Sequence, residues 1–256
     1  MMEQKWPDYL WVVRHGQSAG NVARDEAESA GLALIDIATR DMDVPLSVLG
    51  ERQSRALGQW FGRLGEDATP TVVLCSPYKR ARMTAKLILE HAGHDQAEIP
   101  LVADERLREK EFGILDRLTK HGIAQRYPEL HAQRRHVGKF YFRPPGGESW
   151  CDVILRLRSM LDTLTRDYRG ERVLIVAHQV IVNCLRYLLE RLDEETILLI
   201  DRDCDVPNCA VTSYRFDPQR GRHGKLVTDL VNFVAPLEEA GAPVTAEPDA
   251  PAAPKP

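Results

Sequence analysis

The sequence predicts an α/β fold of three layers, in which a mostly parallel central sheet lies between two layers of helices. Two observations lead to this prediction. Short apolar runs alternate along the chain with longer stretches whose apolar residues recur at helical spacing. The first run, Leu10–Val13, is apolar throughout, as expected for a strand that is buried on both faces of a parallel sheet. We therefore expect right-handed crossovers that cover both faces of the sheet.

Six apolar runs are predicted as strands. In chain order they are Leu10–Val13, Thr71–Cys75, Pro100–Val102, Arg172–Ala177, Cys209–Phe216 and Lys225–Phe233. Only a short, glycine-containing loop separates the last two runs, so they are expected to pair as an antiparallel hairpin at one edge of the sheet.

Four amphipathic stretches between these runs are predicted as helices. They are Ser47–Leu64, Pro77–His91, Glu148–Tyr168 and Val180–Leu192. Ser47 is a candidate N-cap, with Glu51 in the first turn. A Pro-Pro-Gly-Gly turn before Glu148 prevents the third helix from starting earlier.

Three stretches do not follow this alternation. Ala23–Val44 is polar and mixed, and Thr119–Phe142 is basic and aromatic with weak periodicity, so both are interpreted as insertions that could close over a site. Residues 236–256 are rich in Ala, Pro and Glu and are predicted to form a disordered tail. This leaves residues 1–235 as a single domain.

The composition limits the possible partners and compartment. The chain has 256 residues, 43% of them hydrophobic, and a formal net charge of −4, which argues against general attraction to nucleic acid or to an anionic membrane. Its apolar runs are shorter than the roughly 20 residues of a membrane span, and no signal peptide is recognisable, so a cytoplasmic location is expected. The five cysteines are scattered and fit reduced thiols. The sequence does not indicate an oligomeric state.

Polar side chains follow four of the predicted strands at the point where each strand ends. Arg14 and His15 follow the first strand, Arg80 the second, Glu109 the third and His178 the fourth. Because the carboxyl ends of parallel strands meet at one edge of the sheet, where ligands bind in open α/β folds, these side chains are expected to converge. Arginine is a bidentate phosphate ligand, and a neutral imidazole is a nucleophile near pH 7.

The segments that contain these residues resemble those of the histidine phosphatase superfamily, whose members are also called phosphoglycerate mutase-like proteins. The resemblance covers roughly residues 10–233 in the family's order. The segments that carry it are Arg14-His15-Gly16-Gln17-Ser18 with Asn21, Ser76-Pro77-Tyr78-Lys79-Arg80 through Thr84-Ala85, Leu107–Gly113, Pro145-Gly146-Gly147-Glu148-Ser149 and Val176-Ala177-His178.

The resemblance implies a phosphoglycerate mutase-like fold and a set of site residues. The implied catalytic residues are His15 as nucleophile, Glu109 as acid and His178 as second histidine. The implied substrate-binding residues are Arg14, Asn21, Arg80, Gln17 and Gln179. The substrate would be a small phosphorylated molecule, and this chemistry requires no metal ion or other cofactor.

Two departures from the family pattern bear on the reaction. The mutases carry a Glu directly after the motif glycine and a Trp-rich segment soon afterwards, whereas this chain has Gln17 and an Ala-rich segment. The family usually has Ser-His-Gly where this chain has Ala177-His178-Gln179. The sequence therefore favours a phosphatase that works through a phosphohistidine. The alternatives are mutase-type phosphoryl transfer and a non-catalytic protein that recognises phosphate.

Overall fold

A six-stranded sheet forms the centre of the molecule in the computed structural model, which describes residues 4–65, 68–93 and 98–246. The strands are β1 (Tyr9–Arg14), β2 (Val72–Cys75), β3 (Leu101–Ala103), β4 (Arg172–Ala177), β5 (Val211–Asp217) and β6 (Lys225–Phe233). Their order is β3-β2-β4-β1-β5-β6. The first four strands are parallel, and β5 and β6 are antiparallel to their neighbours. The mostly parallel sheet and the hairpin at its edge are therefore confirmed.

Nine α-helices are described. They are α1 (Ala19–Ser29), α2 (Val48–Gly62), α3 (Lys79–His91), α4 (Lys120–Arg126), α5 (Pro128–Val137), α6 (Trp150–Asp167), α7 (Gln179–Leu189), α8 (Glu194–Asp203) and α9 (Ala235–Glu239). The four predicted helices correspond to α2, α3, α6 and α7. The Ser47 hydroxyl accepts a hydrogen bond from the Gly50 amide, which confirms the predicted cap of α2.

The helices cover both faces of the sheet, and the alternation of side chains along β1 shows why. Leu10 and Val12 belong to a buried cluster that includes apolar residues of α6 and α7. Trp11 and Val13 point to the opposite face and belong to a second cluster that includes residues of α2 and α3. Since successive side chains of a strand point to opposite faces, one apolar run supplies both cores. The three-layer prediction is therefore confirmed.

The two insertions contain helices that the periodicity did not predict. Helix α1 enters the first insertion, which continues to a short 3-10 helix at Asp41–Asp43. Helices α4 and α5 make up most of the second insertion. No residue of α5 is buried, so its weak amphipathic pattern gave no signal for a helix.

The start of the predicted tail differs from the prediction. Residues of α9 and the segment after it pack against the domain, with Leu237 fully buried and Ala242 buried. The Gln53 side chain also binds the Pro243 carbonyl at 2.9 Å. Composition alone missed this because two apolar residues suffice to dock a short segment. The remaining tail residues, 247–256, lie outside the described residues.

Within the described part of the chain, no helix combines the length and apolar character needed to cross a membrane.

Candidate active site

His15 and His178 lie next to each other because the strands before them are neighbours in register. Arg14 pairs with Ala177, and the His15 amide donates to the Ala177 carbonyl at 2.9 Å. Both imidazoles are fully buried, with their ring centres 5.1 Å apart in an edge-to-face arrangement. The predicted convergence of these two strand ends is therefore present in the structure.

The partners of His15 determine which ring nitrogen can act as a nucleophile. Nδ1 lies 2.7 Å from the Gly16 carbonyl oxygen, which can only accept a hydrogen bond. Nε2 lies 3.2 Å from the Arg80 Nε–H, which can only donate one. The tautomer that satisfies both contacts carries its proton on Nδ1 and keeps a lone pair on Nε2. The two contacts thus favour the Nδ1–H tautomer, with Nε2 directed toward Arg80.

Arg80 extends from the first turn of α3 and is 3% exposed. Its two terminal nitrogens bind the Asp41 carboxylate at 2.9 and 3.2 Å, and one of them also binds the Asp41 carbonyl at 2.7 Å. The guanidinium lies 5.0 Å from the centre of the Tyr78 ring. An arginine that binds a carboxylate in this two-pronged manner has the geometry that also binds phosphate.

His178 is held by a hydroxyl and faces a carboxylate. Its Nε2 lies 2.8 Å from the Ser76 hydroxyl, and its Nδ1 lies 3.9 Å from an oxygen of Glu109. Glu109 is 1% exposed, and its other oxygen accepts from the Lys110 amide at 2.7 Å. Glu111, the nearby alternative, is exposed and accepts from the Tyr78 hydroxyl. Glu109 is therefore the carboxylate that the fold places against the histidine pair.

The remaining predicted residues lie around this centre with different partners. Arg14 is fully buried and donates to the Val206 carbonyl at 2.6 Å. Asn21 closes the capping box of α1 by accepting from the amide and the hydroxyl of Ser18. Gln17 accepts from the Ser47 hydroxyl, so that side chain is tied to the start of α2.

Gln179 donates to Asp205 at 2.9 Å, in the loop after α8. The side chains of Gln17 and Gln179 thus bind residues of neighbouring segments, Ser47 and Asp205. Asn21 and Arg80 line one cavity together.

That cavity extends from Arg80 along α1. Its polar lining includes Asn21, Arg24 and Arg117 together with the carboxylates of Asp41 and Asp116. Ile35, Ile37, Val44 and Phe112 supply an apolar part. The mixture of charges and aliphatic groups suits a small molecule that has both polar and apolar parts.

Several contacts of this site could not be predicted from the sequence. Thr84 accepts from the Gly16 amide at 3.0 Å, and Asn208 donates to the His15 carbonyl at 3.0 Å. Thr84 belongs to a recognisable block, but its role follows only from the packing of α3 against β1. Asn208 lies in a loop 193 residues away from His15 along the chain. Asp41 sits within a stretch that had no periodic pattern at all.

Gly16 allows the first strand to turn toward the site at close range. A Cβ atom at this position would lie 2.5 Å from the Gly50 carbonyl oxygen and 2.9 Å from the Ser54 hydroxyl. The glycine after His15 is therefore needed for the close approach of the turn to α2.

Among residues 4–65, 68–93 and 98–246, no cluster of three or more His, Cys, Asp and Glu side chains is arranged to hold a metal ion.

Comparison with known proteins places these residues in a family. The family model described as histidine phosphatase superfamily (branch 1) matches residues 10–228. A 2,3-bisphosphoglycerate-dependent phosphoglycerate mutase from Methylobacterium sp. (strain 4-46) is 34% identical over 192 residues, which is 73% of this chain and 83% of that protein.

Solved structures show the same fold. A mycobacterial glucosyl-3-phosphoglycerate phosphatase superposes with a TM-score of 0.66 at 24% identity, over 88% of this chain and 99% of that one. The alpha-ribazole phosphatase from Shigella flexneri also has a TM-score of 0.66, at 21% identity, over 88% of this chain and 98% of its own. The proteins that this chain resembles in sequence or fold thus include both mutases and phosphatases.

Proposed function

The chain belongs to the histidine phosphatase superfamily (branch 1), and we propose that within it the protein is a phosphatase that hydrolyses small phosphate monoesters through a phosphohistidine on His15. The observation that carries the proposal is the orientation of His15. Its Nδ1 is engaged by the Gly16 carbonyl, and its Nε2 faces the Arg80 guanidinium. The nucleophilic nitrogen therefore lies against the phosphate-binding group, and a phosphoryl group that displaces the Arg80 N–H from Nε2 would contact both.

In the first step, the substrate displaces the Arg80 N–H from Nε2, the freed lone pair attacks phosphorus, and the bond to the leaving oxygen breaks. The phosphoryl oxygens need positive charge and hydrogen-bond donors that are fixed in advance. Arg80 and Arg14 provide guanidinium groups, while His178 and Asn21 provide further hydrogen bonds. All four side chains are at least nine-tenths buried, so their charges and dipoles act where water screens them little.

The leaving oxygen needs a proton, which Glu109 supplies in this proposal. The carboxyl group is buried beside His178 and lies close enough to the histidine pair to reach a departing alkoxide. In the second step the same carboxylate takes a proton from water, and that water displaces the phosphoryl group from Nε2. The phosphate leaves with its four oxygens, and His15 returns to its starting tautomer.

Gln17 supports hydrolysis over mutase-type transfer. The mutase pattern has a glutamate at this position, whereas here a neutral amide accepts a hydrogen bond from Ser47. The segment after the nucleophile, which brings Asp41 to Arg80, also lacks the Trp-rich stretch of the mutase pattern. The site thus departs from the mutase pattern close to the phosphate position.

The proposal is tested by following release of inorganic phosphate from p-nitrophenyl phosphate and from a panel of phosphorylated metabolites. We expect turnover by the wild-type protein and none by His15→Ala. A brief incubation with ³²P-labelled substrate should label the protein in an acid-labile, alkali-stable form. Equal activity of the wild type and His15→Ala would refute the proposal.

Mutase-type transfer is a second candidate, which the 34% identical phosphoglycerate mutase favours. The two reactions are separated by incubating the enzyme with labelled 3-phosphoglycerate and a catalytic amount of 2,3-bisphosphoglycerate. A phosphatase releases phosphate and glycerate, whereas a mutase forms 2-phosphoglycerate. Phosphate binding without turnover of 3-phosphoglycerate or of any substrate in the panel would instead indicate the third alternative, a non-catalytic protein that recognises phosphate.

A further inference from the structure

We propose that Thr245, near the end of the described chain, is a positioning residue for His15. Its hydroxyl would fix the orientation of two buried amide side chains, Gln53 and Asn208. These two side chains bind the backbone on the two sides of Gly16. The kinetic readout of this role rests on the proposed function. A continuous set of hydrogen bonds runs from the C-terminal segment to the imidazole.

The peptide unit between Gly16 and Gln17 links this set to the nucleophile. The carbonyl oxygen of that unit receives the His15 Nδ1 contact, and its amide donates to Gln53 Oε1 at 2.9 Å. Because a peptide unit is planar, the hydrogen bond from the Gln17 amide to Gln53 also fixes the direction of the Gly16 carbonyl. The carbonyl in turn keeps the proton of His15 on Nδ1 and the lone pair on Nε2.

The preceding peptide unit is held in the same way. Asn208 is fully buried and donates from Nδ2 to the His15 carbonyl at 3.0 Å. The amide of Cys209 donates to the Arg14 carbonyl at 3.0 Å, so the loop after α8 pairs with the end of β1. Both sides of the turn at Gly16 are therefore held by an amide side chain.

Thr245 joins the two amides. Its hydroxyl lies 2.9 Å from Gln53 Nε2 and 2.9 Å from Asn208 Oδ1, so it accepts from the first and donates to the second. The Thr245 carbonyl also accepts from the Asn208 amide at 2.8 Å. Gln53 Oε1 and Asn208 Nδ2 bind the backbone beside His15. The Thr245 hydroxyl binds the other polar atom of each amide, so it fixes which side of the amide carries the oxygen and which carries the nitrogen.

The segment that carries Thr245 is anchored to the domain independently. Leu237 of α9 is fully buried, and Arg52 donates to the Gly241 carbonyl at 3.0 Å. Gln53 also binds the Pro243 carbonyl. Removing the hydroxyl alone would therefore leave the segment in place while it releases the orientation of the two amides. A displacement of the nucleophile by about 1 Å can lower a rate about 100-fold, so loss of a distant hydroxyl can affect turnover.

The experiment compares Thr245→Val with Thr245→Ser in the full chain. Valine keeps the shape of threonine without its hydroxyl, and serine keeps the hydroxyl. The control is Thr71→Val, which removes a hydroxyl that accepts from the Arg172 amide at 2.9 Å near the start of β2. We expect Thr245→Val to lower kcat about 10-fold with little change in KM, Thr245→Ser to stay within about 2-fold, and Thr71→Val to lower Tm without lowering kcat.

A second readout does not depend on turnover. The ¹⁵N spectrum of the histidine rings, assigned with His15→Ala, should show the Nδ1–H tautomer of His15 in the wild type and a mixture of tautomers in Thr245→Val. If the wild type has no phosphatase activity, the proposed function fails and the spectra still test the positioning role. An unchanged kcat and spectrum in folded Thr245→Val, or an equal loss of kcat in Thr245→Ser, would overturn the inference.

Discussion

The Arg80 Nε–H donates to His15 Nε2 at 3.2 Å, so the group that would bind the phosphoryl oxygens also contacts the nitrogen that would attack phosphorus. Arg80 lies in the first turn of α3, so the beginning of this one helix both contacts the nucleophile and supplies the phosphate-binding group. Arg80 reaches His15 through Nε, and its terminal nitrogens remain directed to the other side, where Asp41 now binds them. On arrival of a substrate, the same terminal nitrogens could bind phosphoryl oxygens.

The first prediction concerns the shape of this guanidinium. In Arg80→Lys, one ammonium replaces the planar fork and cannot bind two phosphoryl oxygens through parallel N–H groups. We expect kcat/KM for p-nitrophenyl phosphate to fall about 100-fold. The control is Arg82→Lys, an exposed position on the same helix, which should keep activity within about 2-fold. Similar losses in both variants would contradict a specific role of Arg80.

The second prediction concerns Asp41, whose carboxylate occupies the place on Arg80 where a phosphate oxygen would bind. Asp41→Asn removes the charge that competes with phosphate and keeps the size of the side chain. We expect the inhibition constant of inorganic phosphate to fall about 5-fold or more, because an ion pair with a buried arginine no longer has to be broken. Weaker inhibition would show that Asp41 orients Arg80.

Asp43→Asn provides the matched control for Asp41. Asp43 lies in the same short 3-10 helix but pairs with the exposed Arg40 at 2.7 Å. Exposed ion pairs contribute little, so phosphate inhibition of this variant should equal that of the wild type.

The third prediction separates Glu109 from Glu111 through the leaving group. Glu109→Gln keeps a hydrogen-bonding side chain but cannot donate the proton that a departing alkoxide needs. Turnover of an alkyl phosphate should fall about 100-fold or more, and turnover of p-nitrophenyl phosphate, whose leaving group needs no proton, should fall much less. Glu111→Gln, which alters a contact to the Tyr78 hydroxyl, should affect both substrates equally and weakly.

The sequence predicted those parts of the site that follow a buried strand. His15 and His178 directly follow β1 and β4, whose buried apolar runs are clear signals in the sequence, whereas Glu109 follows the short and mostly exposed β3. Once β1, β2 and β4 are parallel neighbours, their carboxyl ends can only meet at one edge. The convergence follows from topology, so it needs no knowledge of individual contacts.

The contacts that depend on loops could not be predicted in the same way. Asp41, Asn208 and Thr245 are polar residues in stretches without periodicity, and each reaches the site through a side-chain hydrogen bond over a long separation in sequence. Such contacts depend on the path of each loop, which a local pattern does not determine. The position of Thr245 was predicted to lie in a disordered tail because its neighbours are alanine and proline, although Leu237 and Ala242 anchor that segment.

The last prediction concerns the pH dependence of stability at Lys110, the residue after Glu109. Burial, with a smaller contribution from the nearby charge of Arg134, lowers the pKa of Lys110 from 10.5 to about 8. Below pH 8 the lysine is charged in both the folded and the unfolded chain, and its burial then costs the folded state free energy. Between pH 8 and 10.5 the folded protein has released this proton while the unfolded chain still binds it. Because the unfolded state then binds more protons, the contribution of Lys110 to the free energy of unfolding increases as the pH rises through that range.

Replacement of Lys110 by methionine should therefore stabilise the protein most below pH 8, by about 1–2 kcal/mol once the partial exposure of the side chain is allowed for. The difference from the wild type should shrink between pH 8 and 10.5, as measured by urea unfolding across that range. The control is Lys86→Met, at an exposed position of α3, where the difference from the wild type should not change with pH over the same interval. A stability difference for Lys110→Met that stays constant above pH 8 would mean that folding does not lower the pKa of Lys110, and one that widens would mean that the fold favours the charged form, through the carboxylates of Glu109 and Glu148.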